Sequence, residues 1–325
     1  MKTPKHWNRR GIRFEVMLSL TPIYYFFFLL KKRFTTAQSF PVPIICVGNI
    51  TAGGAGKTPT AIAIARLLKK EYPKLAFVSR GYGGRHVAPY RVDRKKDSAM
   101  DVGDEPLLLA DHAPCYIAEH RKDAIALAIK DGATLIIMDD GLQHFAVARD
   151  VNIVVIDGGF GFGNYGMLPA GPLREKIKGA LARSHAILVI GKPRKELSED
   201  LRLKALPNFS GTMTPKKPLP AKKRSYFAFA GIARPQKFYE TLMQAGLTVN
   251  GTLDFADHHA YTTADIHTLT ARATAIEASL VTTEKDWVRL PEHFRSKVQV
   301  VKAELTLDNE KALKSLLLKQ IKKSK

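Results

Sequence analysis

A short apolar run, "IICV" at 44–47, leads into "GNITAGGAGKTPT" and then into the helix-forming stretch "AIAIARLLKK". Such a segment reads as a buried strand, a tight loop and a helix whose N-terminus closes the loop. Gly53, Gly54 and Gly56 have no Cβ, so the backbone can curl and aim its N–H groups inward. The helix N-terminus adds partial positive charge at the same point. Lys57 then reaches the outer phosphates of a polyphosphate, and the Thr58 hydroxyl is placed to ligate Mg²⁺. Pro59 falls in the first helical turn, where its missing N–H costs nothing. The usual pattern, G-x-x-x-x-G-K-[ST], opens on glycine, and Thr51 stands there in this chain. The expected nucleotide-phosphate site is therefore Thr51, Ala52, Gly53, Gly54, Ala55, Gly56, Lys57 and Thr58. The plain alternative is a glycine-rich turn before a helix.

A strand ending in such a loop implies more strands beside it. Apolar candidates fall at 44–47, 75–79, 134–138, 151–156 and 186–190, with helical patterns at 60–70, 105–109 and 120–130. Near-continuous apolar strands alternating with helices predict a parallel sheet covered by helices on both faces, an α/β fold of the P-loop NTPase type. Active groups in such sheets gather at the C-terminal strand ends. "TPKKPLPAKKR" (214–224) reads as a linker, followed by a second α/β pattern: a strand and loop in "SYFAFAGIA", a helix in "PQKFYETLMQAG", a strand in "ASLVTTEKD" and a last strand in "VQVVKAEL". The tail "KALKSLLLKQIKK" has helical spacing. The expected division is a membrane-associating segment over 1–35, a P-loop domain over 36–220 and a smaller α/β domain over 221–325.

Carboxylates follow the strands where a nucleotide site needs them. "TLIIM" runs into "DDGLQH" at 139–144, an apolar strand ending on acid, as in a Walker B carboxylate that faces the P-loop threonine across Mg²⁺. Two adjacent carboxylates repel unless a cation relieves them. Asp139 is the metal-side choice, and Asp140 faces either Mg²⁺ or the acceptor; the plain alternative is a polar turn. "VVIDGG" offers a weaker second candidate in Asp157. "DVGDEPLLLA" puts Asp104 and Glu105 at the start of a helix, where capping explains acids as well as chemistry does. "FADHHAY" (255–261) brings two histidines after an acid: part of a metal set, an orienter of a carboxylate base, or a plain loop pair. "SRGYGGR" (79–85), with Arg80 and Tyr82, suits close approach to an anion or sugar, and "LPAGPLRE" (168–175) presents Arg174 and Glu175.

The 325 residues carry a formal net charge of +21, which calls for an anionic partner or surface. The basic runs are not interleaved with stacking aromatics, and no nucleic-acid-binding signature appears. The two cysteines, Cys46 and Cys115, are far apart, which fits a reducing compartment and argues against a cysteine metal site. "FEVMLSLTPIYYFFFLLKKRF" is apolar from Val16 to Leu30 and is flanked by "RRGIR" and "KKR". It is short of the roughly 20 residues of a spanning helix and Pro22 interrupts it. No cleavage site follows. Aromatics beside Lys and Arg predict a segment lying in the headgroup region of an anionic leaflet; a buried helix or a single span are the alternatives.

Together, "GNITAGGAGKTP", "SRGYGG", "GDEPLLLA", "DDGLQH", "LPAGPLRE", "FAGIARP", "FADHHAY" and "TEKDWVRL", in this order over about 44–290, resemble the tetraacyldisaccharide 4′-kinase family. The resemblance implies transfer of the γ-phosphoryl group of ATP, with Mg²⁺, to the 4′-hydroxyl of a lipid A disaccharide precursor, at the cytoplasmic face of the bacterial inner membrane. It implies Lys57 and Thr58 at the phosphates and Mg²⁺. It implies Asp139 and Asp140 as metal and catalytic carboxylates, and Glu105 beside them on the metal side. Asp104 becomes the general base, supported by His258 rather than His259. Arg80, Tyr82, Gln143, His144 and Arg174 become acceptor contacts. No nucleic acid and no protein partner is implied. Two other classes compete: a P-loop ATPase or GTPase switch without a lipid acceptor, and a nucleic-acid-stimulated ATPase.

Overall fold

A computed structural model describes residues 4–221 and 224–324. Lys222 and Lys223 of the expected linker and Lys325 of the basic tail lie outside the described residues. Among the described residues two sheets form. The larger runs, edge to edge, Ala303–Leu307, Asn208–Pro215, Ala186–Ile190, Val151–Asp157, Ile44–Gly48, Leu135–Asp139, Leu75–Ser79, Cys115–Ile117 and Tyr90–Arg91. The inner pairings are all parallel, and an antiparallel strand closes each edge. Its central strands are buried from end to end, which is what uninterrupted Ile, Val and Leu runs allow when helices cover both faces. The fold class is thus the α/β arrangement read from the sequence.

Ile44–Gly48 lies between Leu135–Asp139 and Val151–Asp157, with Val47 opposite Asp139. The loop leaving one strand therefore meets the carboxylate ending the next. Helix Lys57–Leu68 packs its Ala61, Ile64 and Leu68 into the core of that sheet.

The second sheet is parallel throughout, in the order Thr248–Asp254, Ser225–Ala230, Ser279–Thr283, Val298–Val301. Helices Pro235–Gln244 and Thr263–Ala275 cover it. The unit expected over 221–325 differs at its end. "VQVVKAEL", read as one strand, breaks at Lys302: Val298–Val301 stays in the smaller sheet, whereas Ala303–Leu307 pairs antiparallel with Asn208–Pro215 in the larger one. Helix Glu310–Lys323 then packs against Lys57–Leu68, burying Leu313, Leu317 and Ile321 in the first core. The reason is the pattern itself. Leu305 and Leu307 need a buried face, and the strand Asn208–Pro215, whose last two residues fall in the expected linker, supplies it.

The N-terminal segment forms two helices, Ile12–Leu18 and Thr21–Phe34, bent by 47° at their junction. No single helix among the described residues is long and apolar enough to cross a membrane, though this bent pair passes on length and composition. Phe14 is buried, and the Tyr24 hydroxyl donates to the Arg174 carbonyl oxygen at 2.8 Å. The other face is bare: Ile12, Val16, Leu20, Ile23, Phe26, Phe27 and Phe34 are exposed, Phe27 at 63% and Phe34 at 78%.

Candidate active site

The phosphate loop folds as its glycines require. Gly53 (φ 107°) and Gly56 (φ 85°) take the left-handed backbone that a side chain would resist. Thr51 can replace the usual first glycine because its position is an antiparallel bridge to Leu173, and the Ala52 N–H donates to the Pro172 carbonyl oxygen at 2.8 Å. "LPAGPLRE" is therefore the loop's outer brace. Lys57 and Thr58 open the helix and are buried.

Asp139, wholly buried, accepts the Thr58 hydroxyl on Oδ2 at 3.0 Å. Among the described residues its Oδ1 has no hydrogen-bond partner. Burial first, then the negative charges of Glu105 and Asp140, push the Asp139 carboxyl far above the usual carboxylate range, with Lys57 opposing. A carboxylate oxygen left bare beside a threonine hydroxyl and a second acid fits a hard divalent cation. Among the described residues no three His, Cys, Asp or Glu groups enclose a metal.

Asp140 stands apart from its neighbour. Its backbone is left-handed (φ 49°), and its carboxylate is held by cations. It meets Arg174 Nη1 at 3.1 Å and Lys57 Nζ at 3.6 Å. Burial raises the Asp140 carboxyl, but Lys57, Arg174 and Arg121 outweigh it and hold it at about 2. Arg121, buried at the start of helix Arg121–Lys130, donates to the Asp140 carbonyl oxygen at 3.0 Å. A lone arginine on a helix has no pattern to announce it, and the sequence reading passed over it.

Gln143 is engaged on both ends: its Nε2 donates to the Asn49 carbonyl oxygen and to Glu175 Oε1, both at 2.9 Å, and its Oε1 accepts from Arg174 at 3.3 Å. Glu175 is buried and also accepts from Arg183. His144 keeps a buried Nε2 without a hydrogen-bond partner among the described residues; burial, then Arg121, Lys31, Arg149 and Arg80, push it down to about 4. Arg80 and Tyr82 are exposed beyond the strand Leu75–Ser79. Arg80, Lys31, Arg121 and Arg149 thus surround His144 with positive charge, beside the N-terminal helices, where Phe28 packs edge-on against Phe145.

Across the cleft, the geometry decides between the two histidines. His258, from the second domain, places Nδ1 3.0 Å from Asp104 Oδ2. His259 instead pairs with Asp265 at 2.9 Å inside its own helix cap and stacks on Phe255. Asp104 is buried, and its Oδ1 also accepts the Glu105 N–H at 2.9 Å. Burial works to raise the Asp104 carboxyl, but the His258 hydrogen bond and the charges of Lys285, His258 and Arg289 hold it well below the ordinary range. The same hydrogen bond raises His258, against its burial. Gly103 (φ 87°) lets this helix start close under Tyr82: a Cβ there would meet the Tyr82 carbonyl oxygen at 2.5 Å. Tyr82 reaches the His258 ring edge-on at 5.8 Å.

Glu105 meets Lys285 of the second domain at 2.6 Å. Asp157 is not a second metal ligand in this arrangement; it pairs with Lys237 at 2.9 Å and with Arg234, both from the second domain. Between the domains, a cleft of about 280 Å³ is lined by Thr51–Ala55 on one side and Ile232–Pro235, Phe255 and Asp257 on the other. The domains approach closely there, since a Cβ on Gly54 would lie 3.3 Å from that of Ala233.

Phosphate loop, bare carboxylate and a second-domain histidine on a buried acid form one assembly, and the relatives of this chain carry a matching description. Residues 17–322 match the family model Tetraacyldisaccharide-1-P 4′-kinase. A tetraacyldisaccharide 4′-kinase of Paramagnetospirillum magneticum is 42% identical over 311 residues, covering 95% of each chain. One of Rhodospirillum rubrum is 39% identical over 322 residues, 98% of this chain and 97% of its own. The crystal structure of LpxK from Aquifex aeolicus in complex with ATP matches with a TM-score of 0.75 at 26% identity, over 96% of this chain and 100% of that one. This chain belongs to the tetraacyldisaccharide-1-P 4′-kinase family.

Proposed function

We propose that this chain is an ATP-dependent, Mg²⁺-requiring kinase that phosphorylates the 4′-hydroxyl of a tetraacyldisaccharide 1-phosphate, a step of lipid A biosynthesis. The observation that carries the reading is the Asp104–His258 pair, which joins the two domains beside the phosphate loop. A nucleotide switch has no use for a carboxylate base paired with a histidine; an alcohol phosphotransferase does.

The roles follow from the contacts. The loop N–H groups and Lys57 cradle the β- and γ-phosphates. Mg²⁺, when bound with ATP, neutralises charge on the phosphate oxygens, and Thr58, Asp139 and Glu105 are the residues that would hold it. Asp104 is ionised at neutral pH and ready to accept the proton of the sugar hydroxyl. It is a weak base while His258, Lys285 and Arg289 surround it, which suits a loose phosphoryl-transfer transition state where the proton leaves late. His258 fixes that carboxylate and stabilises its charge. Asp140 keeps Arg174 and Lys57 in place between nucleotide and acceptor. Arg80, Tyr82, Gln143, His144 and Arg174 flank the acceptor side, where cations suit a phosphorylated sugar.

The reading is tested with γ-labelled ATP and a lipid A disaccharide precursor in detergent micelles. A labelled lipid product formed at a rate that depends on Mg²⁺ is expected; nucleotide hydrolysis with no labelled lipid would return the chain to the switch class, and stimulation by DNA or RNA to the third.

The acceptor carries acyl chains, so we also place the enzyme at the cytoplasmic face of the inner membrane, with the bare face of helices Ile12–Leu18 and Thr21–Phe34 in the lipid headgroup region. Exposed Phe26, Phe27 and Ile23 beside Lys31, Lys32 and Arg33 support this. Substitution is a cleaner test than deletion, because Phe14 and Tyr24 pack on the kinase domain. Ile23→Asp with Phe27→Asp, one turn apart and both exposed, should cut binding to phosphatidylglycerol-containing vesicles by about tenfold or more. It should raise KM for lipid while leaving KM for ATP unchanged. Unaltered vesicle flotation would count against the anchor.

A further inference from the structure

The turn of helix Glu284–Trp287 belongs to the second domain, yet its cations reach the first. Asp286 fixes it. Wholly buried, this carboxylate accepts from the Gly231 N–H (2.8 Å), the Tyr261 hydroxyl (2.7 Å), Arg289 Nη2 (2.8 Å) and the Thr283 hydroxyl (2.5 Å). Such a carboxylate cannot turn without leaving several donors unmet. Lys285 and Arg289 are four residues apart and so share a face. They meet two adjacent acids: Lys285 Nζ lies 2.6 Å from Glu105 Oε1, and Arg289 Nε 3.5 Å from Asp104 Oδ2.

The two cations are held differently. Arg289 also donates to the carbonyl oxygens of Gly231 and His259, so it stays tied to its own domain. Lys285 reaches Glu105 on a flexible four-carbon stem, with the charges of Asp104 and Asp257 also acting on its ammonium. Glu105 in turn lies near enough to Asp139 and Lys57 to act on both electrostatically. Two cations therefore have a claim on Glu105: the ammonium of Lys285, and a divalent ion at Thr58 and Asp139.

We propose that Lys285 is a positioning residue that holds Glu105 across the cleft before the divalent cation arrives and competes with that cation for the same carboxylate. The inference rests on the kinase reading above and adds a coupling to it: metal loading and release of this cross-domain ion pair are one event. The pair is partly exposed, so a doubly charged ion can displace a singly charged, flexible one at modest cost. Without Lys285, Glu105 keeps only the weaker influence of Lys57, and the site gains affinity for a divalent ion.

The experiment measures ATP affinity of the full-length protein by calorimetry, in EDTA and in excess Mg²⁺, and takes the ratio as the gain from metal. Wild type, Lys285→Met, Lys285→Arg, Glu105→Gln and the double variant Glu105→Gln/Lys285→Met are compared, each checked for an intact melting transition. Lys285→Met should raise the gain by roughly threefold or more. Lys285→Arg, which keeps the charge, should stay near wild type. Lys285→Met should add nothing once Glu105 is glutamine. A loss of folding alone lowers ATP affinity with and without metal and cannot raise the ratio. An unchanged gain in Lys285→Met would overturn the proposal by making the pair a fixed bolt. A reduced gain would overturn it by making Lys285 a helper of the metal, and so would an increase that survives Glu105→Gln. Wild-type protein that binds no ATP would instead undo the kinase reading.

Discussion

Lys57→Ala should lower kcat for lipid phosphorylation by at least about 10³-fold, because it removes the one loop side chain that carries charge to the transferring phosphate. The fold should survive. Lys57 is buried at a helix start, but its carboxylate partner Asp140 keeps Arg174 at 3.1 Å and the nearby charge of Arg121. Asp140 therefore remains compensated, and Asp139, which also loses the charge of Lys57, is pushed further toward its neutral form rather than left as an isolated buried charge. Its melting temperature should stay within a few degrees of wild type in metal-free buffer. Steady-state kinetics at saturating lipid and ATP, with near-ultraviolet circular dichroism on the same samples, decide the matter. Turnover near wild type in folded mutant protein would remove the phosphate loop from the mechanism.

What was legible in the sequence was local. A glycine loop, an apolar strand ending on Asp139 and a helix opening on Asp104 are each contained within about ten residues, and the backbone chemistry that requires them leaves its mark at that range. The central strands were legible for the same reason, since burial on both faces demands unbroken apolar runs. The expected pairing of Asp104 with His258 came from family likeness, and the geometry brings them to 3.0 Å.

The rest was illegible because it depends on what chain folding brings together. Lys285 and Glu105 are 180 residues apart. Neither carries a local pattern that distinguishes an ion pair from solvated charge. The same holds for Arg121, whose function lies in two carbonyl oxygens at the end of another strand. The sheet that the last strand joins was illegible for a different reason. "VQVVKAEL" has one continuous β pattern, and periodicity cannot tell which sheet a strand joins. The break at Lys302 sends Leu305 and Leu307 to the larger sheet. As a result the chain passes between the two sheets twice, once after Pro215 and once at Lys302. Ion pairs at Asp104, Glu105 and Asp157 also join elements of the two sheets.

Asp104→Ala and His258→Ala should each reduce kcat by on the order of 10²–10⁴-fold while leaving ATP affinity nearly unchanged. The two side chains form one unit: His258 Nδ1 sits 3.0 Å from Asp104 Oδ2, and each shifts the titration of the other. A double variant should consequently lose little more than the worse single one, since groups that act together are strongly non-additive. Substituting Asp104 also leaves Arg289 without its cross-domain carboxylate, but Arg289 retains Asp286 at 2.8 Å, so the second domain should remain folded. The measurement is a double-mutant cycle on kcat at saturating ATP and lipid, with nucleotide affinity determined separately. If the two losses multiply, Asp104 and His258 act independently and the paired base is wrong. If neither slows turnover, Asp104 serves as the helix-start residue that its position in "GDEP" equally allows, and the proton of the sugar hydroxyl leaves by another route. An Asp104→Asn variant separates the remaining cases. It keeps the shape and can still meet His258 but cannot take the proton, so it should be as impaired as Asp104→Ala if Asp104 is the base, and far less impaired if its part is only to hold the domains together.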